Sequence, residues 1–263
     1  MISIDKYAYN SKLKSKDPLL KLLFALLTIG VCLWANSVSI SIVVILIMSG
    51  VTVYQGGTPA SLFLKLLLLP APFLVIGVLT IAVEFSTKPD IFIISVTLSG
   101  LHIGIAKAGI VNAARLFFKA LGAVSCLYYL SLSTPMVDLL GVLRRLKVPK
   151  LMLDLMGLIY RFIFVLLDTA SAMITAQSSR LGFSSLSAGY RSLAAVATTL
   201  FIRAYKRSDE LYTALEARGY DGELNVLEER FETRWTEYIM PISLNLSLIM
   251  AALFFRRFMG GLL

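Results

Sequence analysis

Charged side chains are scarce in this 263-residue chain: aspartate, glutamate, lysine and arginine together make up 16% of it, against 57% hydrophobic residues and a mean hydropathy of +0.80. That balance excludes a water-soluble domain, in which roughly a quarter of the residues are charged. Histidine occurs once, as His102, and cysteine twice, as Cys32 and Cys126. Both thiols sit in apolar runs, where cysteine behaves as a small hydrophobe, and no disulfide framework is implied. The sequence also lacks a G-x-x-x-x-G-K-[ST] loop, a D-D-x-x-D carboxylate cluster and an H-E-x-x-H pair. Neither nucleotide hydrolysis nor metal catalysis has the residues it needs. The expectation is a non-catalytic chain without cofactor or resident metal. A single loop histidine is more often a polar side chain than a ligand, and Met136, Met152, Met156 and Met173 fall at core-like helical spacings.

What is present is apolar length. Between Lys21 and Lys65 run 43 residues without a charge, and runs of 18 follow Lys65, Lys119 and Glu237. About 20 helical residues cross a hydrocarbon core of ~30 Å. Asp17-Pro18 starts the first span, because proline costs nothing in a helix's first turn, and the span runs to about Ala35. The N-terminal lysines before it resemble a signal peptide, but no small-x-small site follows, so the segment reads as retained. Ile40 to Tyr54 makes a second span, and Gln55-Gly56-Gly57-Thr58-Pro59 a turn. Ser61 to Val83 makes a third, kinked or unwound at Pro70 and Pro72. Glu84 to His102 reads as a re-entrant or external loop. A fourth span, about Gly104 to Leu132, carries Lys107, Arg115 and Lys119, and cations at membrane depth normally face protein or water. Gly109 and Ala113, four apart, would admit another helix closely. Tyr238 to Phe255 makes the fifth.

Charge returns between Ser133 and Trp235 without destroying helical periodicity. Thr134-Pro135 starts a short amphipathic helix in which Val137, Leu140, Leu143 and Leu146 recur, with Arg144, Arg145 and Lys147 at its end matching the helix dipole. A long helix follows from about Lys150 to Arg180. On it Asp154, Arg161 and Asp168 repeat every seven residues, almost two turns, so one polar stripe faces a partner helix or solvent. A second long helix runs from about Ser187 to Arg218, apolar first and charged later. Of the 25 cations, 13 lie between Arg144 and Arg234. That clustering marks a cytoplasmic face rather than a nucleic-acid surface, and puts the N-terminus on the same side. The fold class is thus an all-α membrane protein: about four spans in 1–133, a cytoplasmic unit of one short and two long helices in 134–234, and a last span in 235–263.

The two long helices end alike, in Gln177-Ser178-Ser179-Arg180-Leu181-Gly182-Phe183 and Leu215-Glu216-Ala217-Arg218-Gly219-Tyr220. Arginine suits a helix C-terminus and glycine supplies a left-handed cap, which is the ordinary explanation of either end. Both together, 38 residues apart, point to a docking device. An arginine at a tip can make charge-assisted bonds worth ~1.5 to 3 kcal/mol in a partner's groove.

With these ends, Ile4-Asp5-Lys6-Tyr7-Ala8-Tyr9, Asp17-Pro18 with Lys21, Thr134-Pro135-Met136, Leu146-Lys147-Val148-Pro149 and Tyr160-Arg161-Phe162, the chain resembles the transmembrane T component of energy-coupling factor transporters, in its cobalt-type branch. The resemblance covers nearly the whole chain. It implies a coupling subunit of an ABC-type importer in the cell membrane, with two cytoplasmic ATPases and a separate substrate-binding membrane subunit, most simply for cobalt. Nickel or a vitamin is the alternative cargo. It also implies that Ser179, Arg180 and Gly182, and Ala217, Arg218 and Gly219, dock the ATPases, with Asp154, Arg161 and Asp168 coupling the helices. The second motif fits the family pattern well. The first departs, with Ser179 before the arginine and Leu181 between it and Gly182. The rival classes are a self-sufficient permease with Lys107, Arg115 and Lys119 along an anion path, and an intramembrane enzyme.

Overall fold

A computed structural model describes residues 4–86, 92–98, 101–221 and 235–258. Its elements are α1 (Ile4–Asn10), a 3-10 turn (Lys12–Ser15), α2 (Pro18–Ala35), α3 (Val38–Gly50) running on as a π-helical turn (Val51–Gln55), α4 (Ala60–Leu68), α5 (Ala71–Ala82), β1 (Val83–Ser86), β2 (Phe92–Leu98), β3 (Leu101–Ala106), α6 (Lys107–Ser133), α7 (Met136–Arg145), α8 (Lys150–Ser179), α9 (Leu186–Glu216) and α10 (Trp235–Phe258). Five stretches are long and apolar enough to cross a membrane: Pro18–Ala35, Val38–Gln55, Ala60–Ala82, Gly109–Ser133 and Glu237–Phe254. The chain is an all-α multi-pass membrane protein with one small sheet.

The chain divides into two compact units, Met1–Leu139 with Arg230–Leu263, and Leu140–Glu229, so the division falls inside α7. Residues 222–234, the end of the expected helical unit, and 87–91 of the expected loop lie outside the described residues.

In the first unit Asp17 caps α2 by accepting from the Leu19 amide at 3.0 Å, and Asn36 ends it with a left-handed backbone. The third span breaks at its prolines, between α4 and α5. Leu13, Phe24, Val31, Ile40, Val44, Met48, Tyr129 and Leu248 form the core, with Phe24 and Tyr129 edge to face at 5.4 Å. In lipid, apolar contact alone gives helices no reason to associate, and small residues allow the close approach that does. Gly122 of α6 shows it: a Cβ there would stand 2.8 Å from Cys32 Sγ. Gly109 does the same against α5, where a Cβ would meet the Ala82 carbonyl oxygen at 3.0 Å, and Ala113, one turn on, is buried. The buried hydroxyls of Thr28, Ser41, Thr52 and Ser125 donate to carbonyls one turn back, so none needs a distant partner.

Two expectations are corrected here. The segment expected as a loop carries three antiparallel strands in the order β1-β3-β2, with Val83 opposite Ile105 and Leu98 opposite Leu101. Its β-branched residues favour a pleated backbone, and pairing satisfies amides that a loop would leave open. The fourth span correspondingly begins later, since Gly104–Ala106 belong to β3. Lys119 lies inside the fourth span and meets protein, as expected of a cation there. Its Nζ donates to Asn36 Oδ1 at 3.2 Å, level with the turn between α2 and α3. Arg115 is half-buried one turn before it.

The second unit holds most of α7 and the long helices α8 and α9. α7 lies across α8 with Leu140 facing Gly157, and Val142 is its fully buried residue, whereas Val137 and Leu146 are exposed. A three-residue repeat drifts round a 3.6-residue helix, which is why only its middle is covered.

Candidate functional site: two arginine helix ends

α8 ends by hydrogen bonds that define its cap. The Gly182 amide donates to the Gln177 carbonyl at 2.8 Å, six residues closing on one, and the Leu181 amide to Ser178 at 3.1 Å. α9 ends identically, with Tyr220 donating to Leu215 at 3.0 Å and Gly219 to Glu216 at 2.9 Å. Both are six-to-one caps in which the penultimate donor has a left-handed backbone. At the end of α9 that residue is Gly219, φ 76°; at the end of α8 it is Leu181, φ 59°.

Superposing the caps residue by residue matches Ser179 with Ala217, Arg180 with Arg218, Leu181 with Gly219 and Gly182 with Tyr220. The left-handed residue expected at Gly182 is therefore Leu181. Gly182 serves a different need, because a Cβ there would stand 2.5 Å from Ser192 Oγ and 2.8 Å from the Gln177 carbonyl oxygen. Ser192, buried on α9, donates to the Gly182 carbonyl at 2.8 Å and ties the connection onto the helix that follows. Ser185 then starts α9 by accepting from the Ala188 amide at 3.3 Å.

Arg180 and Arg218 thus hold one geometric position on two helices. Both are exposed, and their guanidinium groups make no hydrogen bond or ion pair among the described residues. At the second end the carboxylate of the nearby Glu216 holds the Tyr212 phenol above its ordinary pKa. Arg180 stands where the chain turns into α9 and Arg218 at its far end, separated by 31 helical residues, on the order of 45 Å. These are two separate tips, each with the same presentation.

The stripe on α8 is divided. Asp154 is buried and pairs with Arg144 of α7 at 4.0 Å. Arg161 and Asp168 are exposed and without a polar partner among the described residues. Three buried polar contacts are not evident from the sequence alone: Ser192 on Gly182, Asp154 on Arg144, and Lys21 Nζ on the carbonyls of Leu13 (3.1 Å) and Ser133 (3.0 Å). A lysine in the first turn of an uncharged run is the signal that could have marked Lys21, since such a charge must find acceptors.

Comparison with known proteins agrees with this architecture. Residues 9–229 match the family described as cobalt transport protein, CbiQ. The chain is 36% identical to the cobalt transport protein CbiQ of Salmonella typhimurium over 60% of its length and 70% of that protein. It is 32% identical to CbiQ of Rhodobacter capsulatus over 87% of this chain and 88% of that one. With the energy-coupling factor transporter transmembrane protein EcfT of Ruminiclostridium cellulolyticum it shares 31% identity over 84% of each. The chain belongs to the CbiQ family, the cobalt-type T components of energy-coupling factor transporters. As such it is a membrane subunit of a transporter that works in a complex with others.

Proposed function

We propose that the chain couples two cytoplasmic ATPases to a substrate-binding membrane subunit, and that the cargo captured by that subunit is cobalt ion. The observation that carries the reading is the repeated helix end, in which two arginines occupy one cap position, exposed and unengaged among the described residues, about 45 Å apart along α9. A cap fixes the backbone beside each arginine while leaving its guanidinium to a partner's carboxylates or carbonyls, which it meets in a planar fork. Separate, identically built tips suit two copies of one kind of partner. The two-ATPase reading is supported by that repetition and by membership of a transporter family.

On this reading ATP-driven closure of the ATPases moves the Arg180 and Arg218 tips they hold, α8 and α9 carry the motion as rigid rods, and α7 acts as the lever toward the spans. The long helices expose apolar side chains such as Ile159, Ile163, Phe201 and Tyr205, and these would form the sliding surface for the substrate-binding subunit. Arg161 and Asp168 couple α8 to that subunit. Cobalt rests on the names of the CbiQ relatives. Uptake of cobalt and nickel ions by vesicles holding the reconstituted complex tests it: cobalt uptake driven by ATP supports the assignment, and uptake of nickel alone overturns it.

A further inference from the structure

Lys21 is fully buried on α2, a placement that the docking tips do not require. A buried ammonium is costly unless its donors and charge are satisfied. Two of its donors go to the carbonyls of Leu13 and Ser133. Asp17, which caps the same helix, accepts from the Tyr238 hydroxyl of α10 at 3.5 Å. Ser133 is the last residue of α6, Pro135 follows in the buried connection, and Asp138 lies in the first turn of α7. Lys21 thus fixes the start of α7 within the first unit.

The end of α7 is fixed within the second unit. Arg144 in its last turn pairs with Asp154, whose side chain is 6% exposed, and Leu140 seats against Gly157 one turn earlier. One ten-residue helix therefore belongs to both compact units, with a buried lysine on the carbonyl just before it and an ion pair in its last turn. A buried charge with fixed acceptors localises a helix end, because moving it would leave the charge unpaired.

We propose that α7 is the strut of the subunit, held at its start by Lys21 on the Ser133 carbonyl and at its last turn by Arg144 with Asp154. Lys21, Arg144 and Asp154 are positioning residues that set how much transport each hydrolysed ATP yields. That role rests on the coupling reading above.

The test uses the complete complex of the chain, its host's ATPases and the substrate-binding subunit, reconstituted in vesicles. ATP hydrolysis and uptake of cobalt or nickel ion are measured on the same preparation. Lys21→Met and Arg144→Gln nearly preserve side-chain volume and are the deciding variants. Each single variant is expected to retain its ATPases and their hydrolysis while ions moved per ATP fall by at least about fivefold, the low end of an ordinary coupling between sites. The charge swap Arg144→Asp with Asp154→Arg is expected to recover much of that ratio, which lost packing alone would not allow. An unchanged ratio in Lys21→Met and Arg144→Gln overturns the strut while leaving the coupling reading intact. A swap that restores nothing overturns the paired role of Arg144 and Asp154. A wild-type complex that retains no ATPases overturns the coupling reading itself, and the strut with it.

Discussion

Leu181 carries a backbone conformation that costs an L-residue roughly 1 to 2 kcal/mol, and its side chain lies mostly in solvent. Glycine would meet the same φ of 59° without that cost. Leu181→Gly is therefore expected to stabilise the detergent-solubilised chain by about 0.5 to 1 kcal/mol, seen as a higher melting temperature by circular dichroism. Gly182→Ala should act oppositely and lower stability by about 1 to 3 kcal/mol, because its methyl enters the space of Ser192 Oγ and the Gln177 carbonyl. If Gly182 were the cap and Leu181 ordinary, Leu181→Gly would instead lower stability, because glycine at an ordinary position loses more chain entropy on folding. The sequence hides this distinction, since an arginine followed within two residues by glycine looks the same wherever the turn falls. Only the hydrogen bonds to Gln177 and Ser178 show which residue turns left-handed.

At the scale of elements, legibility follows how local the cause is. The first span is bounded from Pro18 to Ala35 in sequence and structure alike, because Asp17-Pro18 and Asn36 act on their own helix. The break at Pro70 is local in the same sense. The sheet is not legible because pairing of β1 and β2 with β3 is a relation between segments, and a β-branched run alone does not state it. Lys21 is hidden for that reason too, its acceptor Ser133 standing 112 residues away. The contact of α2 with α6 depends equally on distant residues and can be tested. Gly122→Leu should destabilise the first unit by about 1 to 3 kcal/mol, since even a Cβ would stand 2.8 Å from Cys32 Sγ. A melting temperature within error of wild type would show that α2 and α6 are free to separate.

At the scale of the whole molecule, the chain runs from its membrane spans through α7 into a unit whose two long helices each end in an arginine, and the proposed function lies in what passes between partners. Arg161→Leu should lower uptake while ATPase binding persists, because Arg161 is exposed on α8 and its change disturbs no buried pair, unlike Asp154. Uptake at the wild-type rate in that variant would remove Arg161 from the coupling surface. The most direct measurement is co-purification of the tagged chain with its host's ATPases, wild type beside Arg180→Glu with Arg218→Glu. Wild type is expected to retain the ATPase subunits, and the double variant, still inserted in the membrane, to lose them. Equal retention by both, or none by wild type, would contradict the coupling role.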